Sequence, residues 1–209
     1  MKNFTFALLF SIALAASAAA SVKVACVGDS ITYGDGIRDR AKDSYPVQLA
    51  KILGDEYKVE NFGVCGATAI SYTHTKQYVQ SKEFAPDIVV LKFGTNDANP
   101  KNWDKSGKAV SYEADMNALI DSYANLASRP RIYLCLPAPT FSGARAAQTR
   151  TLAKYIRPLI LKIALERGLG VIDTFSLLEG RHELFPDNLH PNPEGAKMMA
   201  ELIGAAIKK

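Results

Sequence analysis

The sequence predicts an α/β fold, a parallel sheet with helices on both faces, and three observations carry that prediction. Short β-rich runs alternate with longer helical ones five times along the chain, and such alternation implies crossover connections between parallel strands. The run Asp87–Phe93 (DIVVLKF) holds Ile88, Val89, Val90 and Leu91 side by side, a pattern suited to a central strand covered on both faces. The 209 residues contain no internal repeat, low-complexity linker or break in composition, so residues 21–209 are expected to form a single domain with one sizeable core.

Residues 1–20 stand apart from that domain. Lys2, a short apolar run and the small residues Ala18-Ala19-Ala20 read as a secretory signal peptide cleaved near Ala20, which would export the protein to the periplasm or beyond. The run is too short and too weakly flanked to favour a membrane span, although a retained N-terminal anchor is the alternative. Cys26 makes a poor lipoprotein cysteine, because Lys23 precedes it and a strand follows.

Taken in order, Val22–Val27 is the first strand and runs into Gly28-Asp29-Ser30. Tyr45–Leu53 reads as a helix, and Lys58–Phe62 as a strand ending in Gly63-Val64-Cys65-Gly66. The central strand Asp87–Phe93 ends in Gly94-Thr95-Asn96-Asp97. In Tyr112–Ala127 the residues Met116, Leu119, Ile120, Tyr123 and Leu126 fall at helical spacing. Arg131–Leu136 is a strand stopped by Pro137 and Pro139, and Leu152–Arg167 is a helix that Pro158 kinks or restarts. Gly170–Asp173 is the last short strand. Asn192 caps the terminal helix, with Pro193 at its first position. Glycine-rich or Asn/Asp-bearing turns thus close three of the strands, and in parallel sheets ligands gather at those carboxyl ends.

Composition narrows the function classes. The net charge of +4 is spread over both signs, with no basic run interleaved with aromatics, so nucleic-acid binding has little support. Nothing after the N-terminal run is apolar enough for a membrane segment, so the mature form is expected to be free of membrane. Cys26, Cys65 and Cys135 are an odd set; Cys26 and Cys135 sit in apolar strands as small core residues, and at most one disulfide, more readily none, is the expectation.

Gly28-Asp29-Ser30 matches no phosphate-binding pattern, since Gly28 and Gly34 are one position too far apart and no lysine follows. It also lacks the second glycine of the G-x-S-x-G elbow. By itself it is a turn or a helix cap as readily as a nucleophile. A serine nucleophile needs a base, and the three histidines are the candidates. His74 lies in a polar loop without a nearby carboxylate, and His182 reads as a surface residue. His190 has Asp187 three positions before it in a proline-bounded turn, where an aspartate can fold back onto the imidazole. His182, Asp187 and His190 could alternatively hold a metal, but no fourth ligand stands at recognisable spacing. Asp29, Asp35, Asp39 and Asp43 resemble no calcium loop and read as a solvated face. The turns at Gly63–Gly66 and Gly94–Asp97 add backbone N–H groups and an amide, the donors that a tetrahedral oxyanion requires.

Together, GDSIT, NFGVCG, GTND and DNLHP, in that order, resemble the four blocks of the SGNH (GDSL-type) hydrolases. The resemblance covers nearly the whole mature chain. It implies a flavodoxin-like three-layer α/β/α sandwich with a five-stranded parallel sheet of order 2-1-3-4-5. It further implies Ser30 as nucleophile, His190 as base and Asp187 as its orienting acid. The oxyanion hole would comprise the Ser30 N–H, the Gly66 N–H and the Asn96 side chain, with no metal or organic cofactor. Cys65 stands where the family often has serine.

The runs GTNDANPKNW, NFGVCGAT and PRIYLCLPAP resemble exported bacterial members described as sialate O-acetylesterase or acetylxylan esterase-like. An O-acetyl ester on an oligosaccharide or small molecule is therefore the expected substrate. Tyr33 and Trp103 are candidate substrate contacts, and Tyr72 and Phe141 also fall in loops near strand ends, where aromatic rims suit sugar rings; Trp103 could equally pack its own loop, Ala98–Ser111. A lysophospholipase or thioesterase of the same fold is the competing enzyme. A non-catalytic carbohydrate-binding protein on an esterase scaffold is the competitor from another class. The oligomeric state is not legible in the sequence.

Overall fold

The computed structural model describes residues 20–103, 108–141 and 143–209. The signal segment expected over residues 1–20 lies, apart from Ala20, outside the described residues. Strands β1 (Val22–Gly28), β2 (Tyr57–Gly63), β3 (Ile88–Lys92), β4 (Arg131–Leu136) and β5 (Gly170–Asp173) form one sheet of order β2-β1-β3-β4-β5. Every neighbouring pair is parallel, as the alternation predicted. The order reverses between β1 and β3, so the crevice at their carboxyl ends is the place where such sheets bind ligands.

Between the strands lie α1 (Ser30–Tyr33), α2 (Arg40–Asp43), α3 (Tyr45–Leu53), α4 (Ala69–Tyr72), α5 (Lys76–Glu83) and α6 (Lys108–Ala124). After β4 come α7 (Ala146–Thr151), α8 (Arg157–Arg167), α9 (Thr174–Leu178) and α10 (Pro193–Ile207). A single π-helical stretch, Leu152–Ile156, joins α7 to α8, and Pro158 stands in the first turn of α8. Proline thus restarts the helix there, since its ring cannot sit beneath a carbonyl of the preceding turn. Asn192 caps α10, accepting from the Gly195 amide at 3.0 Å.

Period-2 alternation along the strands builds two cores. Ala25, Val27, Val89, Leu91, Leu134 and Leu136 face α6 and α8 with Met116, Leu119, Ile120 and Ile160. Val24, Cys26, Ile88, Val90 and Cys135 face α3 and α10 with Leu49, Met199 and Ile203. Cys26 and Cys135 are buried, Cys65 is exposed, and all three are free. Burial pushes the Cys135 thiol up to about 12 and Cys26 higher still, so both remain protonated packing groups.

Candidate active site

Three strand ends and one turn assemble the site. β1 delivers Ser30 through Asp29, whose Oδ1 accepts the Ile31 amide at 3.0 Å and so caps α1. Gly28 is required here, because a Cβ would stand 2.7 Å from the Lys92 carbonyl oxygen and 2.3 Å from Thr32 Oγ1. Gly63 makes room for the chain itself: a Cβ would stand 2.1 Å from the Tyr33 nitrogen. Gly66, after β2, has φ +77, in the left-handed region.

Before α10 the turn Pro186–Pro191 folds on its own aspartate. Asp187 Oδ1 accepts the amides of Leu189 at 3.0 Å and His190 at 2.7 Å. Asn188 takes the left-handed conformation that this needs, φ 64, which asparagine tolerates. Asp187 Oδ2 lies 2.6 Å from His190 Nδ1, and His190 Nε2 lies 2.9 Å from Ser30 Oγ. Partial burial works to raise the Asp187 carboxyl, but the His190 amide, its ring and the Leu189 amide outweigh it and hold the group below the usual range. With Nδ1–H donated to the ionised carboxylate, Nε2 is left to accept, so the imidazole can take the serine proton. Asp35 Oδ2 lies 3.7 Å from Nε2 on the solvent side.

The turn after β3 is tied to its neighbours at four points. Asn96 Nδ2 donates to the Ala67 carbonyl at 3.0 Å, next to Gly66. Asp97, buried, accepts the Ala69 amide on Oδ1 at 3.0 Å and the Gly94 amide on Oδ2 at 3.1 Å. Gln148 and Asn102 donate to the carbonyls of Thr95 and Asn96 at 2.6 and 2.8 Å. Burial pushes the Asp97 carboxyl up to about 7 against the pull of the Ala69 and Gly94 amides. Sequence reasoning missed Asp97, Gln148 and Asn102 as supports; only the Asp97 position, inside GTND, offered a signal.

Two expectations are corrected. Asp29 is not on a solvated face: it is 0% exposed and paired with Lys92, also 0% exposed. Tyr72 and Phe141 do not form a rim, because both are buried in the two cores. His182 is exposed, as expected, and its ring packs at a tilt against Phe141 with centroids 4.0 Å apart. The predicted substrate contacts lie in separate hollows. Trp103 lines a cavity of about 210 Å³ with Thr68, Ile70 and Asp97, and also packs on Tyr155 at 5.5 Å. Tyr33 lies under the Arg40 guanidinium at 3.8 Å, lining a cavity of about 620 Å³ with Asn61 and Phe84. Of the expected connection Ala98–Ser111, residues 104–107 are outside the described residues and α6 already begins at Lys108. Among the described residues no cluster of three metal-ligating side chains occurs, so His182 does not join Asp187 and His190.

The chain matches the model of the GDSL-like Lipase/Acylhydrolase family over residues 26–198. It is 38% identical over 208 residues to an acetylxylan esterase of Xylanibacter ruminicola, an alignment covering 90% of this chain and 43% of that protein. A multidomain esterase of Ruminococcus flavefaciens is 25% identical, with 30% of its length covered. The chain thus spans less than half the length of these curated relatives. Among solved structures, a lipase/acylhydrolase from Enterococcus faecalis superposes with TM-score 0.72 at 26% identity, covering 90% of this chain and 95% of that one. An acetylxylan esterase from Geobacillus stearothermophilus, solved as a catalytic mutant, gives TM-score 0.69 at 21% identity, with 90% and 94% covered.

Proposed function

The chain belongs to the GDSL-like Lipase/Acylhydrolase family, and from this premise we propose that it is a carboxylic ester hydrolase that removes O-acetyl groups from a carbohydrate by a serine mechanism. The observation that carries the mechanism is the unbroken relay from Asp187 through His190 to Ser30, with contacts of 2.6 and 2.9 Å. The acetylated carbohydrate is supported by the 38% identity to an acetylxylan esterase.

In this reading Ser30 Oγ attacks the ester carbonyl carbon while His190 Nε2 takes the hydroxyl proton. The carbonyl oxygen becomes an oxyanion, held by the Ser30 and Gly66 backbone N–H groups and by Asn96. An amide nitrogen carries two donors; one of Asn96's is engaged by Ala67, which leaves the second for the oxyanion. His190 then returns the proton to the leaving alcohol oxygen as the C–O bond breaks, leaving an acetyl-serine. Water repeats the sequence: His190 takes its proton, the hydroxyl adds to the acyl carbon, and Ser30 departs reprotonated as acetate forms. Asp187 stays ionised throughout and stabilises the imidazolium.

The test is acetate release from acetylated xylo-oligosaccharides and O-acetylated sialic acids, beside a p-nitrophenyl ester series of rising acyl length. Acetate release from a sugar with fastest hydrolysis at two carbons is expected. Preference for long acyl chains would establish the lysophospholipase or thioesterase reading instead. No hydrolysis of any ester would leave only the binding-protein reading.

A further inference from the structure

We propose that Lys92 is a positioning residue for the reaction, whose ammonium cancels the Asp29 carboxylate charge beneath the developing oxyanion; this rests on Ser30 being the nucleophile. Lys92 ends the central strand β3, level with Gly28 of β1, and its side chain is wholly buried. Its Nζ stands 3.2 and 3.3 Å from the two oxygens of Asp29. That carboxylate belongs to the residue immediately before Ser30 and already caps α1 through the Ile31 amide.

A buried lysine in a central strand is costly, and an apolar pair of similar volume would serve stability as well or better. Capping does not require the charge either, since serine or asparagine caps a helix as well as aspartate. What the pair does supply is an acceptor at the cap whose charge is cancelled on the spot. Without Lys92, a carboxylate shielded from water would stand next to the serine at which negative charge develops, where the low local dielectric makes repulsion large. No other cation bonds the Asp29 carboxylate among the described residues. Thr32 Oγ1 and Tyr45 OH, 3.0 Å apart, bond each other beside it and stay neutral, because burial pushes the tyrosine hydroxyl well up.

Three variants test this: Lys92→Met, Asp29→Asn and the two combined. Active sites are counted by a fluorophosphonate that phosphonylates Ser30 and expels fluoride, so kcat is expressed per competent serine and does not follow a lower Tm. Lys92→Met is expected to lower kcat at least about 30-fold with KM within about threefold, because the lost interaction matters only in the transition state. Adding Asp29→Asn removes the uncancelled charge while keeping an acceptor at the cap, and should restore kcat to within about fivefold of the unmodified protein. Wild-type kcat in Lys92→Met overturns the proposal. So does a double variant as slow as Lys92→Met, since the ammonium itself would then be required. Should Lys92→Met fail to fold, the combined variant decides: kcat within about tenfold of the unmodified protein supports charge cancellation, and a larger loss overturns it. Failure of the fluorophosphonate to modify Ser30 in the unmodified protein would instead overturn the nucleophile assignment beneath it.

Discussion

Asp187→Asn separates the chemistry of the site from its architecture. The substitution keeps Oδ1, which accepts the Leu189 and His190 amides, and replaces Oδ2 with an N–H₂ group facing His190 Nδ1. Nδ1 must then accept rather than donate, so the imidazole proton moves to Nε2. Nε2–H can only donate to Ser30 Oγ, and the base is lost. Flipping the amide offers no escape, because its N–H₂ group would oppose two backbone N–H donors and forfeit two hydrogen bonds at about 1 kcal/mol each. Tautomer reversal of this kind costs about 10⁴ in turnover, which is about 5.5 kcal/mol of transition-state stabilisation. Because the turn keeps both amide bonds, Tm should move by no more than about 4 °C. Steady-state hydrolysis of p-nitrophenyl acetate, with a thermal melt on the same preparation, measures both. A kcat within about tenfold of the unmodified protein at unchanged Tm would refute the reasoning, and Asp35, 3.7 Å from Nε2, would become the carboxylate to examine.

Other consequences follow from the same geometry. Asn96→Ala removes a proposed oxyanion donor and should lower kcat by about 10² to 10³ with KM little changed; a loss under about threefold in p-nitrophenyl acetate hydrolysis would remove Asn96 from the site. His182→Ala should change kcat less than about twofold, since the exposed ring serves only to cover Phe141; a large loss in the same assay would mean that His190 is not the base. Asp97 bears on pH. Burial raises its folded-state carboxyl to about 7, well above its unfolded range, so its stability contribution is full below about pH 4 and lost as pH rises through 7. Asp97→Asn has no such group, so its Tm relative to the unmodified protein should rise by about 5 °C between pH 5 and pH 8. A difference that stays constant with pH, read by thermal melts across that range, would contradict the assignment.

Much of this was legible in the sequence for a plain physical reason. Strand periodicity, proline stops and helix caps are local, and β4, β5 and α3 fall at the bounds that those signals set. The Asp187–His190 contact is also local, three residues within one turn. Long-range partnerships were not legible. Asp29 shares its neighbourhood with Asp35, Asp39 and Asp43 and so read as solvated, because its compensating charge lies 63 residues away on β3. Lys92 falls inside the run Asp87–Phe93, where nothing local marks its partner. Helix α5, KQYVQSKE, carries no apolar stripe; its one buried residue is Ser81, whose hydroxyl meets Tyr123 at 2.6 Å. Tyr72 was misplaced because α4 is a single turn, too short to show which side of it is covered.

The helix bearing Ser30 has only four residues, and a helix that short has no stability of its own. The direction of the nucleophile is therefore a property of its surroundings. The Thr32 carbonyl accepts from Asn61 at 2.8 Å and the Thr32 hydroxyl bonds Tyr45 at 3.0 Å. Tyr33 lies against Gly63 without room for a methyl group, and Asp29 is gripped by Lys92. These ties lead to β2, to α3 and to β3, the elements that flank β1. Glycine at 34, with φ +92, then ends the helix before a second turn could form. A serine placed this way does not need the glycine elbow that it lacks, because neighbouring strands and α3 replace the sharp turn as the source of its orientation. The same dependence explains why the polar pair under α1 can persist at the centre of the core despite its cost. In the proposed mechanism it is where the position of the Ser30 hydroxyl and the field acting on it are set together.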